Sequence, residues 1–494
     1  MLADFNVKMF EKNIGISQQT LVSNITQDGT TKAKRLPQYL ACLSATLGAL
    51  ASGMVIGWTS PLGKDGINLI KEYKILITPA EFSWIGSLTP LGAAVMCIPI
   101  GILSDFIGRK YSMLLMVVPF SIGWLLLIFA KSVVMFYIGR FITGLCVAAF
   151  CVVAPMYSAE IAESEIRGTV GSFFQLLLTV GILITYVLGK YISILQLSIV
   201  SAVIPLIFFA IFFFMPESPM FYLKKGRIED ARSSLIRMRG PLYNVEHELE
   251  AQKEVVEQSV RNRVTILEAI RSRAVVKGLI IAFGLMLYQQ LSGVNAVIFY
   301  SSDIFTTAGS SMNPNDSTIV VGAMQVIAVF VSTLIVDKLG RRLLLLSSES
   351  VMFLTTFVLG VFFYLDNNEY NVESIRWLPL VSVCVFIILF SLGFGPIPWM
   401  MMGEIFAPEV KGIAASSACF FNWIMAFLVT KFYSSLNDSI TPAGTFWLFS
   451  VVCGIGVFFV YFLVPETKGK SLNDIQRDFE LGESKIIPKE FITM

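Results

Sequence analysis

The feature that most constrains this chain is the recurrence of apolar runs about twenty residues long. Wound as a helix, such a run matches the ~30 Å hydrocarbon core of a bilayer. About twelve occur, near 38–60, 82–104, 111–130, 133–156, 168–189, 192–215, 274–302, 317–336, 343–364, 377–402, 412–434 and 443–464. Within a bilayer each backbone polar group needs a partner inside the segment, so the runs read as helices. Mean hydropathy is +0.72, and the 15% of charged residues is too little for a globular surface. The expectation is an all-α, polytopic membrane protein with the lipid bilayer as a partner. The net charge of +2 gives no bulk attraction for nucleic acid. The single histidine, His247, lies in a charged stretch, so neither a histidine metal site nor a metal cofactor is expected. Seven cysteines sit in apolar runs without a CxxC pair and read as buried, unpaired thiols.

The runs divide the chain into a polar tail (1–37), a six-span half (38–215), a charged linker (216–273), a second six-span half (274–464) and a closing tail (465–494). The first tail has no apolar core before a cleavage site and does not read as a signal peptide. In the linker, 227–239 and 244–258 read as short helices broken at Gly240-Pro241. An even number of spans puts both ends on one side. The cluster of Lys32, Lys34 and Arg35, with the basic-rich linker, assigns that side to the cytoplasm.

The halves repeat one another. DFIGRK (105–110) answers DKLGRR (337–342), AEIAESEIRG (159–168) answers GEIFAPEVKG (403–412), and PESP (216–219) answers PETKG (465–469). Three pairs in the same order imply two six-helix halves related by an axis along the membrane normal. Asp105 with Arg109, Asp337 with Arg341 and Arg342, Glu160 with Arg167, and Glu404 with Lys411 are expected to form charge clusters of a cytoplasmic gate.

One run is unlike the rest. QQLSGVNAVIFYS (289–301) places Gln289, Gln290, Ser292, Asn295 and Tyr300 inside an apolar segment. These groups are neutral, and several both donate and accept hydrogen bonds. Facing lipid they would lack partners, so they are expected to face a cavity or other helices. Such amides suit a ligand rich in hydroxyls and free of charge, that is, a sugar. At ~100° per residue Gln289 and Asn295 point ~120° apart, so they converge only if the helix breaks near Gly293.

With these motifs, together with Gly139-Arg140 and GFGPIPW (393–399), the chain resembles the sugar porters of the major facilitator superfamily over about residues 38–475. It is most similar to facilitative glucose transporters and insect facilitated trehalose transporters. The resemblance implies the major facilitator fold and carriage of glucose, trehalose or both. It implies hydrogen bonds to sugar from Gln175, Gln289, Gln290, Asn295 and Gln325, with Trp399 and Asn422 completing the pocket and Phe299 and Tyr300 as an outer gate. Trp423 reads as an interfacial anchor. The chain departs from many relatives at Met220, and from plasma-membrane glucose carriers at Ser391 and Ala426, in place of arginine, glutamate and asparagine.

Proton-driven relatives carry an aspartate in the first span, where this chain has Val55, while the partner arginine is kept as Arg140. The expectation is uniport, without enzymatic chemistry, in the plasma membrane. Glu349, an acid inside the ninth run, keeps a proton-coupled sugar or polyol symporter as the alternative. A non-transporting sugar sensor is the second. Asn315 and Asn437 head glycosylation sequons expected to face outward, and Asn24 heads one expected to stay bare.

Overall fold

The computed structural model describes residues 33–163, 165–261, 272–406, 408–470 and 472–481. The expected sequon at Asn24 lies outside them. Among the described residues there are helices and turns and no strands. The first half comprises spans one to six: Leu36–Gly57, Pro79–Ile107, Arg109–Ile128, Val133–Ile161, Arg167–Tyr191 and Ile194–Phe212. Sequence chemistry fixes their starts. Thr78 and Glu81 cap the second span reciprocally with Pro79 in its first turn, and Ser193 and Gln196 do the same for the sixth.

The second half is less regular. The seventh span consists of Arg273–Leu291 and Val294–Thr307, and the tenth of Leu378–Leu392 and Ile397–Ile405. The eighth and ninth are Pro314–Leu339 and Arg341–Asn367. Among the described residues eleven helical stretches are long and apolar enough to cross a bilayer, and the last is a helix of 56 residues, Pro408–Leu463. Drawn straight it would run about 84 Å, far beyond one crossing. It is interrupted at Ile440 and Thr441, where Thr441 takes φ 65, and Pro442 follows. That reversal separates the eleventh span from the twelfth, giving twelve crossings.

Between the halves lie Pro219–Lys224, Ile228–Arg239 and Glu246–Arg261. They share a small core of Leu223, Ala231, Leu235 and Leu249. Their described polar contacts go to the first half. The buried Arg239 donates to the Ile161 carbonyl at 2.8 Å and pairs with Glu163 and Glu248. The halves themselves meet most extensively along two helix pairs, the second with the eleventh and the fifth with the eighth, and the end of the seventh span adds contacts to the first half.

Candidate functional site

The seventh span breaks at Gly293, which adopts φ 89 and lies so close to Phe449 that a Cβ would fall 2.5 Å from its ring. Only glycine tolerates both conditions. The break turns Asn295 toward the glutamines of the preceding segment. Asn295 donates to the Gln290 side-chain oxygen, Gln290 donates to Asn422 at 2.8 Å, and Asn422 donates to Gln289 at 2.7 Å. Four neutral amides thus form one hydrogen-bonded chain between the seventh and eleventh spans.

Gln289 does a second job. Its Nε2 donates to the carbonyls of Phe394 and Gly395, at 2.6 and 3.0 Å, in the gap of the tenth span. An unbroken helix would join the Phe394 carbonyl to the N–H of residue 398, which is proline and has none. The Leu392 carbonyl is deprived in the same way by Pro396, and Ser332 of the eighth span donates to it at 3.3 Å. Two prolines free two carbonyls, and neighbouring spans supply the missing donors. Ser332 was not expected from the sequence, although the proline spacing signals the need for such a partner.

The remaining candidates stand apart from this chain of amides. Gln325 is buried in the eighth span, Gln175 is half-buried in the fifth, and Trp399 is 37% exposed in the second segment of the tenth. No hydrogen bond is described for these three side chains. Trp423 is not an interfacial anchor: it packs against the cluster of Ala93, Cys97, Ala148 and Cys419 between the halves.

At the end away from the linker the halves are shut. The seventh span kinks at Tyr300, with φ −123 and ψ 23. Beside the kink, Tyr186 donates to the Ile298 carbonyl at 2.7 Å, and the Ser302 N–H donates to the Ser60 hydroxyl at 3.3 Å. Both partners belong to the first half. The buried Tyr300 ring meets Phe82 edge-on, stacks on Tyr433, and donates through its hydroxyl to the Thr430 carbonyl at 3.0 Å. Phe299 is buried beside it. Lys431 reaches across to the Ser83 hydroxyl at 2.6 Å and lies 4.2 Å from the Trp84 ring, and Lys190 pairs with Asp316. At the linker end the picture reverses. A Cβ on Gly168, Gly171 or Gly412 would meet no atom within 4 Å.

This architecture matches solved transporters. The proton:xylose symporter XylE bound to 6-bromo-6-deoxy-D-glucose aligns with a TM-score of 0.73, covering 90% of this chain and 99% of that one at 23% identity, which establishes the fold. The facilitated trehalose transporter Tret1 of Bombyx mori is 39% identical over 449 residues, 91% of this chain and 88% of the relative. That of Drosophila mojavensis is 40% identical over 472 residues, 92% of this chain and 54% of the relative. The chain therefore spans about half the length of its Drosophila mojavensis and Drosophila virilis relatives. The family described as Sugar (and other) transporter matches residues 26–479. The chain belongs to that family.

In this sugar transporter family member the duplicated motifs build matching clusters at the linker end. Gly108 turns the chain into the third span with φ 101, and Glu217 of PESP accepts the N–H groups of Arg109, Lys110 and Ser218 at 2.8–3.2 Å. In the second half Gly340 has φ 89, and Glu466 of PETKG accepts from Arg341 and Arg342, both at 3.0 Å. A carboxylate at a helix N-terminus takes up N–H groups that the helix leaves free. A Cβ on either glycine would come within 3 Å of that carboxylate. Burial pushes the Glu217 carboxyl up to about 7, against the pull of these N–H groups and the Arg109 charge.

The charge pairs differ in part from the expected ones. Glu160 binds Arg109 at 3.0 Å and Ser218, not Arg167, whose guanidinium reaches the Ala162 carbonyl at 3.5 Å. Asp105 binds Arg109 at 2.9 Å. Glu404 binds Arg341 at 2.9 Å and Thr467, while Lys411 donates to the Gly403 carbonyl. Arg342 donates to the Tyr461 carbonyl. The Asp337 side chain lies outside the described set. Among the described residues, the ion pairs at this end stay within one half.

Two buried ionisable groups complete the inventory. Arg140 has no exposure and donates to the carbonyls of Val55 and Ile85 and to the Thr59 hydroxyl, at 2.8–3.1 Å. Glu349 is buried against Gly456, and neither of its oxygens meets a donor among the described residues. Both outward sequons fall in helices: Asn315 in the first turn of the eighth span, and Asn437 near the end of the eleventh with its side-chain oxygen buried.

Proposed function

We propose that the chain is a facilitative transporter that carries a neutral sugar, glucose or trehalose, across the plasma membrane by alternating access, with both termini and the linker in the cytoplasm. The observation that carries this reading is the chain of four uncharged amides at two helix breaks, roofed by a shut outer end. A polyol needs groups that replace water on both its donors and its acceptors, and amides do so without imposing charge. Gln175, Gln325 and Trp399 are the further sugar contacts proposed. Phe299 and Tyr300 serve as the outer gate, with Tyr186 and Ser60 supplying its partners from the other half. The names of the trehalose carriers similar to this chain favour trehalose alongside glucose.

Uniport is supported by Arg140. In place of a carboxylate at position 55, its guanidinium takes the Val55 carbonyl, a partner that cannot bind and release a proton at physiological pH. The test is uptake of labelled glucose and trehalose into proteoliposomes, with and without a protonophore. Uptake that saturates and ignores the protonophore is expected. Uptake that collapses with the protonophore and acidifies the lumen would replace uniport by symport through Glu349. Sugar binding without flux would make the protein a sensor. The gate role of Asp105, Arg109, Glu160, Arg167, Asp337, Arg341, Arg342 and Glu404 is to keep each half rigid at the cytoplasmic mouth. A glycan is less suited to Asn437, with its buried oxygen, than to Asn315.

A further inference from the structure

One contact between the halves involves none of the sugar-handling groups. Cys97 of the second span and Cys419 of the eleventh face each other with their sulfurs 3.2 Å apart. Both are free thiols. Ala93, Ala148 and Trp423 pack around them, and the fourth span carries a further free cysteine, Cys151. Described side-chain contacts trace the second and eleventh spans inward from the shut end. Ser83 meets Lys431, Trp84 meets Phe427, and Cys97 meets Cys419. Beyond the cysteines the helices part. Gly101, one turn past Cys97, faces open space, and so does Gly412, two turns before Cys419. Positions four and seven apart share a helix face. The faces that carry the two thiols therefore continue as walls of the open mouth, and the pair sits at its apex.

We propose that Cys97 and Cys419 are a peroxide-sensitive modification site, whose disulfide staples the two halves and stops the transport cycle. Hydrogen peroxide is small and uncharged and enters by the mouth that is open to the linker side. Cys419 keeps 6% exposure against 1% for Cys97, so it reacts first. Its sulfur takes one oxygen of the peroxide; the O–O bond breaks, leaving a sulfenic acid and water. The Cys97 sulfur then attacks the sulfenic sulfur, the S–O bond breaks, and the hydroxyl departs as water with the Cys97 proton. Two thiols are oxidised and one peroxide is reduced to two waters. A disulfide bond of about 2.05 Å requires the sulfurs to close by roughly 1 Å, within the reach of a side-chain rotation. The thiol pool of a reducing compartment would reopen it, which makes the staple a reversible brake rather than a structural bond.

The test uses the full-length protein in proteoliposomes, treated with hydrogen peroxide and then with dithiothreitol. Mass spectrometry should find a peptide linked through Cys97 and Cys419. Uptake should fall in proportion to the linked fraction and return on reduction. Cys97→Ser and Cys419→Ser should each keep uptake and lose the sensitivity, while Cys151→Ser should keep both. The absence of the linked peptide, a link from Cys151 instead, or full uptake by linked protein would overturn the proposal. The stopping of transport rests on the sugar-carrier reading, but the linked peptide does not. Failure of that reading would appear as absent uptake in untreated protein.

Discussion

The two ends of the interface between the halves are built on different principles. At the far end single, mostly neutral contacts cross from one half to the other: Tyr186 to Ile298, Ser302 to Ser60, Lys431 to Ser83 and Trp84, with one partly exposed ion pair, Lys190 to Asp316. At the linker end the charges are denser, yet the described pairs close within each half, around Arg109 in one and Arg341 in the other. Strong, buried charge pairs serve badly as a latch, because separating them exposes unpaired charge. Neutral contacts and a partly exposed ion pair, worth about 1 kcal/mol or less each, separate at little cost. The linker end is therefore built for stiffness within each half, and the far end for contacts that cost little to separate.

Four measurements would break or sharpen this contrast. The largest effect should follow Arg109→Ala. It strips the fully buried guanidinium from Asp105 and Glu160, and should cost about 3–5 kcal/mol, read as a fall in thermal unfolding temperature in detergent. Arg341→Ala, at a more exposed site, should cost less; equal losses would show the two clusters to be equivalent. Next is Gln289→Ala. It leaves the Phe394 carbonyl without a donor, a penalty of about 1–3 kcal/mol, and uptake should drop roughly tenfold or more with normal insertion. Unchanged uptake would remove Gln289 from the mechanism. Tyr186→Phe should loosen the shut end by about 1 kcal/mol, detected as faster labelling of a cysteine placed at Ser60. Slower or equal labelling would count against the far end as the moving gate. Glu349→Gln should change least, leaving both uptake and its expected indifference to a protonophore intact.

Much of the architecture was legible because the bilayer is an exacting solvent. Apolar length fixed the crossings, and a glycine amid neutral amides located the break at residue 293. The boundary between the eleventh and twelfth spans was harder, since little more than Thr441 and Pro442 separates them. The charge partners were misread where sequence proximity stood in for space. Glu160 and Arg167 are seven apart, but Glu160 belongs to the last turn of the fourth span, where it meets Arg109, and Arg167 begins the fifth. The capping role of Glu217 and Glu466 was hidden, because nothing in a PES or PET triplet reveals which helix start lies opposite. The second task of Gln289 was written in the chain as Pro398, and that of Ser332 as Pro396, though only the fold shows which side chain answers each proline.

The kink at Tyr300, at the shut end, leaves the seventh span two ways to satisfy its backbone. The Ile298 carbonyl and the Ser302 N–H, now engaged by Tyr186 and Ser60, are four residues apart, the very pair a straight helix would join. Withdrawn from their borrowed partners, each has the other to return to. The seventh span can thus straighten without stranding a peptide group in oil, and its hinge needs no water to lubricate it.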